Sequence, residues 1–492
     1  MRQILNYIDG RLTPAAKGRV LDNVEPATGQ VYSTLPNSDA DDVNAAVAAA
    51  LRAFPTWSST SPAERSRILL RIADLIDANL DALALAESTD TGKPLSLARE
   101  VDIPRSASNF RFFATAILHT ESAMHETRDT EPDGVTPRRA INYTLRSPRG
   151  VAGLISPWNL PLYLLSWKIG PALATGNTAV AKPSEMTPLT AHTLSELCIK
   201  AGLPAGVLNI VHGTGPGAGQ PLVTHPNVPA ISFTGGTSTG AILSAAAAPM
   251  FKRLSLELGG KNPSIIFDDA DIDQALATTL NSSFRNQGQI CLCASRVLVQ
   301  LSIYAKFVER LTAATKALKI GDPFEPATQQ GSLNSAAHLA KVAAAVDTAR
   351  SLGAQVLCGG RKVPKDHLPP RCKDGFFYEP TILAGLDPTC TTEQEEIFGP
   401  VISVTPFDDE AHAIRLANGT RYGLATTLWT TNLSRAHRVA EQLEAGIVWI
   451  NCWMLRDLRT PFGGVKHSGV GREGGQEALR FFTEPKNVCI RA

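Results

Sequence analysis

At 492 residues the chain is too long for a single hydrophobic core, so two or three domains are expected. It is 43% apolar and 19% charged with a net charge of +1, which offers neither a basic surface for nucleic acid nor a like-charged run for a membrane. Apolar runs fall short of the ~18 residues of a membrane span. Met1–Leu12 lacks the apolar core of a signal peptide. The eight cysteines show no metal-ligand or disulfide-framework spacing, so a cytoplasmic chain without metal is expected.

The N-terminal region reads as helical after a short extended start. Ser38-Asp-Ala-Asp41 opens an Ala-rich helix predicted to end near Phe54. Ser61-Pro-Ala-Glu64 supplies an N-cap, a first-turn proline and a capping-box acid. Ile68, Leu69, Ile72, Leu75, Ile76, Leu80 and Leu83 then recur at helical spacing until Thr91-Gly92 stops the run. A further helix is expected from about Leu95 through Ile117. Glu121 to Pro137 is polar and reads as a surface connection. From Val151 to Glu257 short apolar runs alternate with helices, which predicts βαβ units and a parallel sheet covered on both faces. A second α/β region runs from about Lys261 to Asn451. Ala140–Ser147 and Lys486–Ala492 are extended pieces suited to pairing with another subunit.

In such a sheet, ligands sit beyond the carboxyl ends of the strands. Gly213-Thr-Gly-Pro-Gly-Ala218 matches a dinucleotide fingerprint, including Gly215, but lacks the acidic residue about twenty positions on. Phe233-Thr-Gly235-Gly236 is a second strand–turn–helix whose amides suit a pyrophosphate. Each taken alone is equally a plain tight turn. Lys182 and Glu185 at another strand end could bond a ribose diol, with Glu185 repelling a 2′-phosphate; a solvated Lys-Pro turn is the alternative.

Cys291 follows Gly288-Gln-Ile in a loop of small and polar neighbours, open enough for a nucleophilic thiol, though most intracellular cysteines are merely small apolar fillers. Glu257 ends an apolar strand before Gly259-Gly260. Turned inward it would be a desolvated general base; turned outward, an ordinary strand carboxylate. Asn159, between Pro157 and Pro161, either donates to an oxyanion or caps the next helix.

Asn159, Lys182, the Phe233-Thr-Gly turn, Glu257-Leu-Gly-Gly, Gly288-Gln-Ile-Cys291, Glu396-Ile-Phe-Gly-Pro400 and Pro461-Phe-Gly-Gly464 resemble, in order and spacing, the motifs of the aldehyde dehydrogenase superfamily across essentially the whole chain. The resemblance implies a Rossmann-like NAD-binding domain (1–128 and 149–258) and an α/β catalytic domain (259–460). It also implies a small β extension (129–148 and 481–492) that assembles a homodimer or homotetramer. It implies Cys291 as nucleophile, Glu257 as the activator of water, and Asn159 with the Cys291 amide as oxyanion holders. Glu396 and Phe398 would position the nicotinamide riboside, and Lys168 with Glu473 would pass the proton out. Gly236 departs from the family's usual serine, so one hydroxyl contact to phosphate is in doubt.

By position, Arg105 and Arg456 fall where relatives acting on simple aldehydes place apolar residues, while Leu160, Trp167 and Phe462 keep apolar walls. Two guanidiniums imply a carboxylate-bearing substrate; the alternative is that both are solvated at a tunnel mouth. Asp-Ile-Pro-Arg105, the run from Leu154 to Lys168, and Asn451-Cys-Trp-Met-Leu-Arg456-Asp resemble the superfamily branch that oxidises muconic semialdehydes. That implies a small anionic semialdehyde, 2-amino or 2-hydroxy substituted; a retinal-type substrate would leave both arginines unpaired. A catalytically silent relative and a CoA-acylating one are the competing classes, and the intact Cys291 and Glu257 speak against each in turn.

Overall fold

In the computed structural model residues 2–491 are described; Met1 and Ala492, the outer ends of the first and last predicted segments, lie outside the described residues. The apolar runs after Val151 form five parallel strands: β1 (Val151–Ile155), β2 (Thr178–Lys182), β3 (Leu208–Ile210), β4 (Ala230–Thr234) and β5 (Arg253–Glu257). Their order across the sheet is β5-β4-β1-β2-β3, so the winding reverses between β1 and β4. That reversal is where a doubly wound sheet opens a crevice at its strand ends. Antiparallel strands extend both flanks, Asn6–Ile8 and Arg11–Thr13 beyond β3 and Gly469–Val470 beyond β5.

β1 is buried along its whole length because both faces are covered. Ala152 and Leu154 pack with helix Pro161–Ala174 in one core, while Val151 and Ile155 face a second core with helix Ala40–Ser59. The two-residue alternation of the strand thus feeds two layers of helix.

A second sheet includes the strand that follows the loop of Cys291. Its strands run Gln355–Cys358, Thr381–Ala384, Val401–Phe407, Ala294–Gln300, Asn262–Ile266, Ala425–Trp429 and Ile447–Ile450, all parallel except at the first edge. Among the described residues no helix is long and apolar enough to cross a membrane.

Three expectations need correction. The Ala-rich helix does not end near Phe54 but runs Ala40–Ser59 through Pro55. Buried Trp57 holds the last turn by donating from Nε1 to the Leu173 carbonyl at 3.2 Å. The long periodic helix is two, Pro62–Ala78 and Leu80–Thr91, broken at Asn79. Gly92 does end the second, at φ 73°, where a Cβ would meet Ser332 Oγ at 2.0 Å. Glu121–Pro137 is no simple connection: Met124–Thr130 is a strand paired residue by residue with Pro137–Pro148, whose other edge takes Thr483–Arg491. That sheet stands away from the cores and is largely exposed, so no alternation of apolar residues marks it.

Candidate active site

A cavity of about 660 Å³ opens at the β1/β4 reversal and runs to Cys291. Lys182, Glu185, Gly215, Phe233, Gly235, Gly236, Glu396 and Phe398 all line it, together with Asn159. Its size suits a dinucleotide-scale ligand. Gly236 is the N-cap of helix Thr237–Ala247, and a Cβ there would meet nothing within 4 Å, so backbone amides face open space. Gly235 is tighter: a Cβ would strike the Phe233 ring at 2.5 Å. Its amide donates to the Glu257 carbonyl at 3.0 Å, tying this turn to β5. The Gly213–Ala218 fingerprint follows β3 rather than the reversal. There Gly213 packs on the Ser38 backbone, and Gly215 reaches the cavity rim. Just past the end of β2, Lys182 Nζ lies 3.0 Å from Glu185 Oε2.

The nucleophile loop is built on backbone strain. Asn286, Gln287 and Gly288 are left-handed in succession (φ 53°, 55° and 70°), and Phe398 facing them is too (φ 62°). A Cβ at residue 288 would meet the Gly399 carbonyl at 2.1 Å, so only glycine fits. Non-glycine residues in this region cost about 1–3 kcal/mol each and persist where the surroundings over-determine them. Cys291 is left half-buried at the cavity end, against the apolar cluster of Leu160, Tyr163 and Phe462. Burial, then the Glu257 and Glu396 carboxylates, pushes its thiol well above the ordinary range, while Arg456 pulls the other way. Asn159 is buried and does not serve as a helix cap through its side chain. Its Nδ2 donates to the Gln289 carbonyl at 2.8 Å, which leaves the second N–H of that amide for another acceptor.

Glu257 turns inward at the end of β5 and is buried, with no hydrogen-bond partner on either oxygen. Burial and the nearby Glu473 carboxylate raise it from 4.5 to about 8. Glu473 in turn accepts from Lys168 Nζ at 2.7 Å, and Lys168 also donates to Ser232 Oγ at 2.9 Å. Glu396 accepts from the Gly260 N–H at 2.9 Å, in the space Gly259 leaves by having no side chain, and burial raises it to about 6.

On the side of the apolar cluster, Arg456 stacks on Phe462 at 3.9 Å and donates to the Tyr163 hydroxyl at 2.9 Å. Arg105 lies over Tyr163 at 5.3 Å, and its Nε donates to Asn109 at 3.0 Å. Trp167 lies under both guanidiniums, at 5.6 and 5.8 Å. Among the described residues neither arginine has a carboxylate within 4 Å, and Arg105 Nη2 is buried without a partner. Burial and the neighbouring Arg456 charge both lower Arg105. A partly desolvated cation such as Arg105 is costly unless an anion joins it.

Sequence reasoning passed over three residues. Trp158 and His338 pack edge-on at 5.1 Å, and both line the cavity beside Phe398, whose carbonyl lies 2.7 Å from His338 Nε2. The proline-flanked turn holding Asn159 could have drawn attention to Trp158; His338 sits in no motif. Lys93, fully buried, donates to the Asn159 carbonyl at 3.0 Å.

With a dinucleotide-sized cavity ending at a loop-borne thiol and a buried carboxylate, the arrangement suits the oxidation of an aldehyde. The chain belongs to the aldehyde dehydrogenase family, matching it over residues 13–488. It is 54% identical to 2-aminomuconic semialdehyde dehydrogenase of Danio rerio, covering 99% of this chain and 98% of the relative. It is 49% identical to 2-hydroxymuconic semialdehyde dehydrogenase of Pseudomonas sp. (strain CF600), covering the whole of both. The NAD+ complex of an aldehyde dehydrogenase from Bacillus cereus superposes with a TM-score of 0.94 at 38% identity, over 99% of this chain and 96% of that one.

Proposed function

We propose that the protein oxidises 2-aminomuconate 6-semialdehyde to 2-aminomuconate with NAD, through a thioester on Cys291. The observation that carries the substrate class is the pair of guanidiniums, Arg105 and Arg456, held on aromatic rings with no carboxylate among the described residues within 4 Å of them. A carboxylate at the far end of the substrate supplies what is missing. The relatives' names support a muconic semialdehyde, with the 2-hydroxy compound as the second reading. A place in tryptophan breakdown through kynurenine goes with the 2-amino substrate.

NAD, when bound, supplies the hydride acceptor. The amides of the Phe233–Gly236 turn would hold its pyrophosphate, Lys182 and Glu185 its adenosine ribose, and Glu396 and Phe398 its nicotinamide end. Glu185 would repel the 2′-phosphate of NADP there. Glu257, the nearby base, would take the Cys291 proton as Sγ attacks the aldehyde carbon, and pass it on to Glu473 and Lys168. The oxyanion rests on the Asn159 amide and the Cys291 N–H. After oxidation, Glu257 takes a proton from water, which opens the thioester and releases the acid. Lys168 and Glu473 lie beside Glu257 and would carry that proton away.

The reading includes a cytoplasmic homodimer or homotetramer joined through the outlying sheet, where Met124, Ile141, Leu145 and Ile490 are exposed. The test is a kcat/KM panel with each cofactor over amino- and hydroxymuconic semialdehydes and plain aldehydes. A preference for the plain aldehydes would overturn the substrate assignment.

A further inference from the structure

Lys93 follows the glycine that ends helix Leu80–Thr91, yet its side chain is fully buried. Three segments meet on its ammonium. Nζ lies 2.5 Å from the Asp102 carboxylate and 3.6 Å from Glu87, and donates to the main-chain carbonyl of Asn159 at 3.0 Å. That carbonyl also accepts from Asn286 Nδ2 at 3.1 Å, so both its lone pairs are engaged. Glu87 accepts from the Leu162 N–H at 3.4 Å, which grips the same turn on the far side of Pro161. Asp102 stands one helical turn before Arg105. None of these three side chains lines the cavity. A buried charge cluster is weak evidence for stability, because apolar residues of the same volume would serve as well. What this one does is join the turn of Asn159, the nucleophile loop and the helix of Arg105.

We infer that Lys93 is a positioning residue: by holding the Asn159 carbonyl it aims that residue's side-chain amide at the oxyanion formed on Cys291. The inference rests on the proposed role of Asn159. With one amide N–H committed to Gln289, the aim of the other depends on the backbone of the turn. A displacement of about 1 Å at such a donor lowers the rate by about 100-fold. Asp102 and Glu87 keep the ammonium in place and transmit the same register to Arg105.

The test is a double-mutant cycle on the pre-steady-state NADH burst with an uncharged aldehyde. Lys93→Met and Asn159→Ala should each slow the burst, Lys93→Met by about 10- to 100-fold, and the double variant should be no slower than Asn159→Ala. KM for NAD should stay at the wild-type value in Lys93→Met. Multiplied losses in the double variant would overturn the proposal while leaving Asn159 in its role. A wild-type burst in Asn159→Ala would remove that role and the proposal with it. If Lys93→Met does not fold, the neutral triple variant Glu87→Gln, Lys93→Met, Asp102→Asn takes its place. A slow burst in that variant supports the proposal and a normal burst contradicts it.

Discussion

The two sides of Cys291 are built on opposite principles. Toward the cofactor cavity three of the groups already have partners: Lys182 has Glu185, Glu396 has the Gly260 amide, and the Gly235 amide has the Glu257 carbonyl. Its recognition surface is backbone, set by glycines at a sheet reversal. On the opposite side the polarity is carried by long side chains from distant segments, hydrogen-bonded to Asn109 and Tyr163 but not paired with a carboxylate among the described residues. Arg105 and Arg456 meet at Tyr163 and Trp167 with no carboxylate among the described residues within 4 Å. A ligand common to a whole family can be met by main chain alone. A ligand particular to one branch shows itself as charge left open. Glu257 sits on the boundary, with no hydrogen-bond partner on either oxygen.

The largest effect should come from that boundary. Glu257→Gln is expected to give one burst of NADH and then lower steady turnover by about 10²–10⁴-fold, the usual range for a general base. A normal steady state would remove its role. Because the native carboxyl is raised to about 8, its base form, and with it thioester hydrolysis, should grow as pH rises toward about 8 and then level off. The stability sign is opposite. A carboxyl whose folded value exceeds its unfolded value of 4.5 favours the native state at low pH and loses that contribution as pH rises through about 8. Glu257→Gln should therefore raise Tm at pH 9, by about 2 °C, and leave it unchanged near pH 4.5. Equal shifts at both values would contradict the isolation of that carboxyl.

On the substrate side, Arg456→Ala or Arg105→Ala should lower kcat/KM for a carboxylated semialdehyde by about 2–4 kcal/mol of transition-state binding. On the cofactor side a smaller change is expected, because the backbone carries the binding. Glu185→Ser should raise kcat/KM with NADP by about 10-fold, since it removes one close like charge. A drop in NADP use would show that Glu185 faces away. Smallest of all, Gly236→Ser restores an N-cap hydroxyl in open space and should stabilise by a few tenths of a kcal/mol, read as a slight rise in Tm.

The same contrast explains what the sequence revealed. The βαβ alternation was legible because β1 to β5 are buried and apolar, and the glycine turns because their conformation restricts composition. Glu257 was legible as an acid at an apolar strand end, but its inward orientation was settled only by the fold. The outlying sheet was missed on its first strand, since Met124–Thr130 is exposed on both faces and has no pattern to read. Asn79 broke a helix that periodicity alone would have continued. Lys93 and His338 were missed for a different reason. Their importance comes from partners 66 and 60 residues away, and no local spacing records such a pairing.

The central claim, a thiol that attacks an aldehyde whose far carboxylate is gripped by two arginines, is tested most directly by one ratio. That ratio is kcat/KM for 2-aminomuconic semialdehyde over that for an uncharged aldehyde of similar length, in the wild type and in Arg456→Ala. The account predicts a ratio well above one that collapses by about 30-fold or more in the variant, with the uncharged substrate little changed. A ratio that survives the substitution, both substrates losing alike, would contradict it.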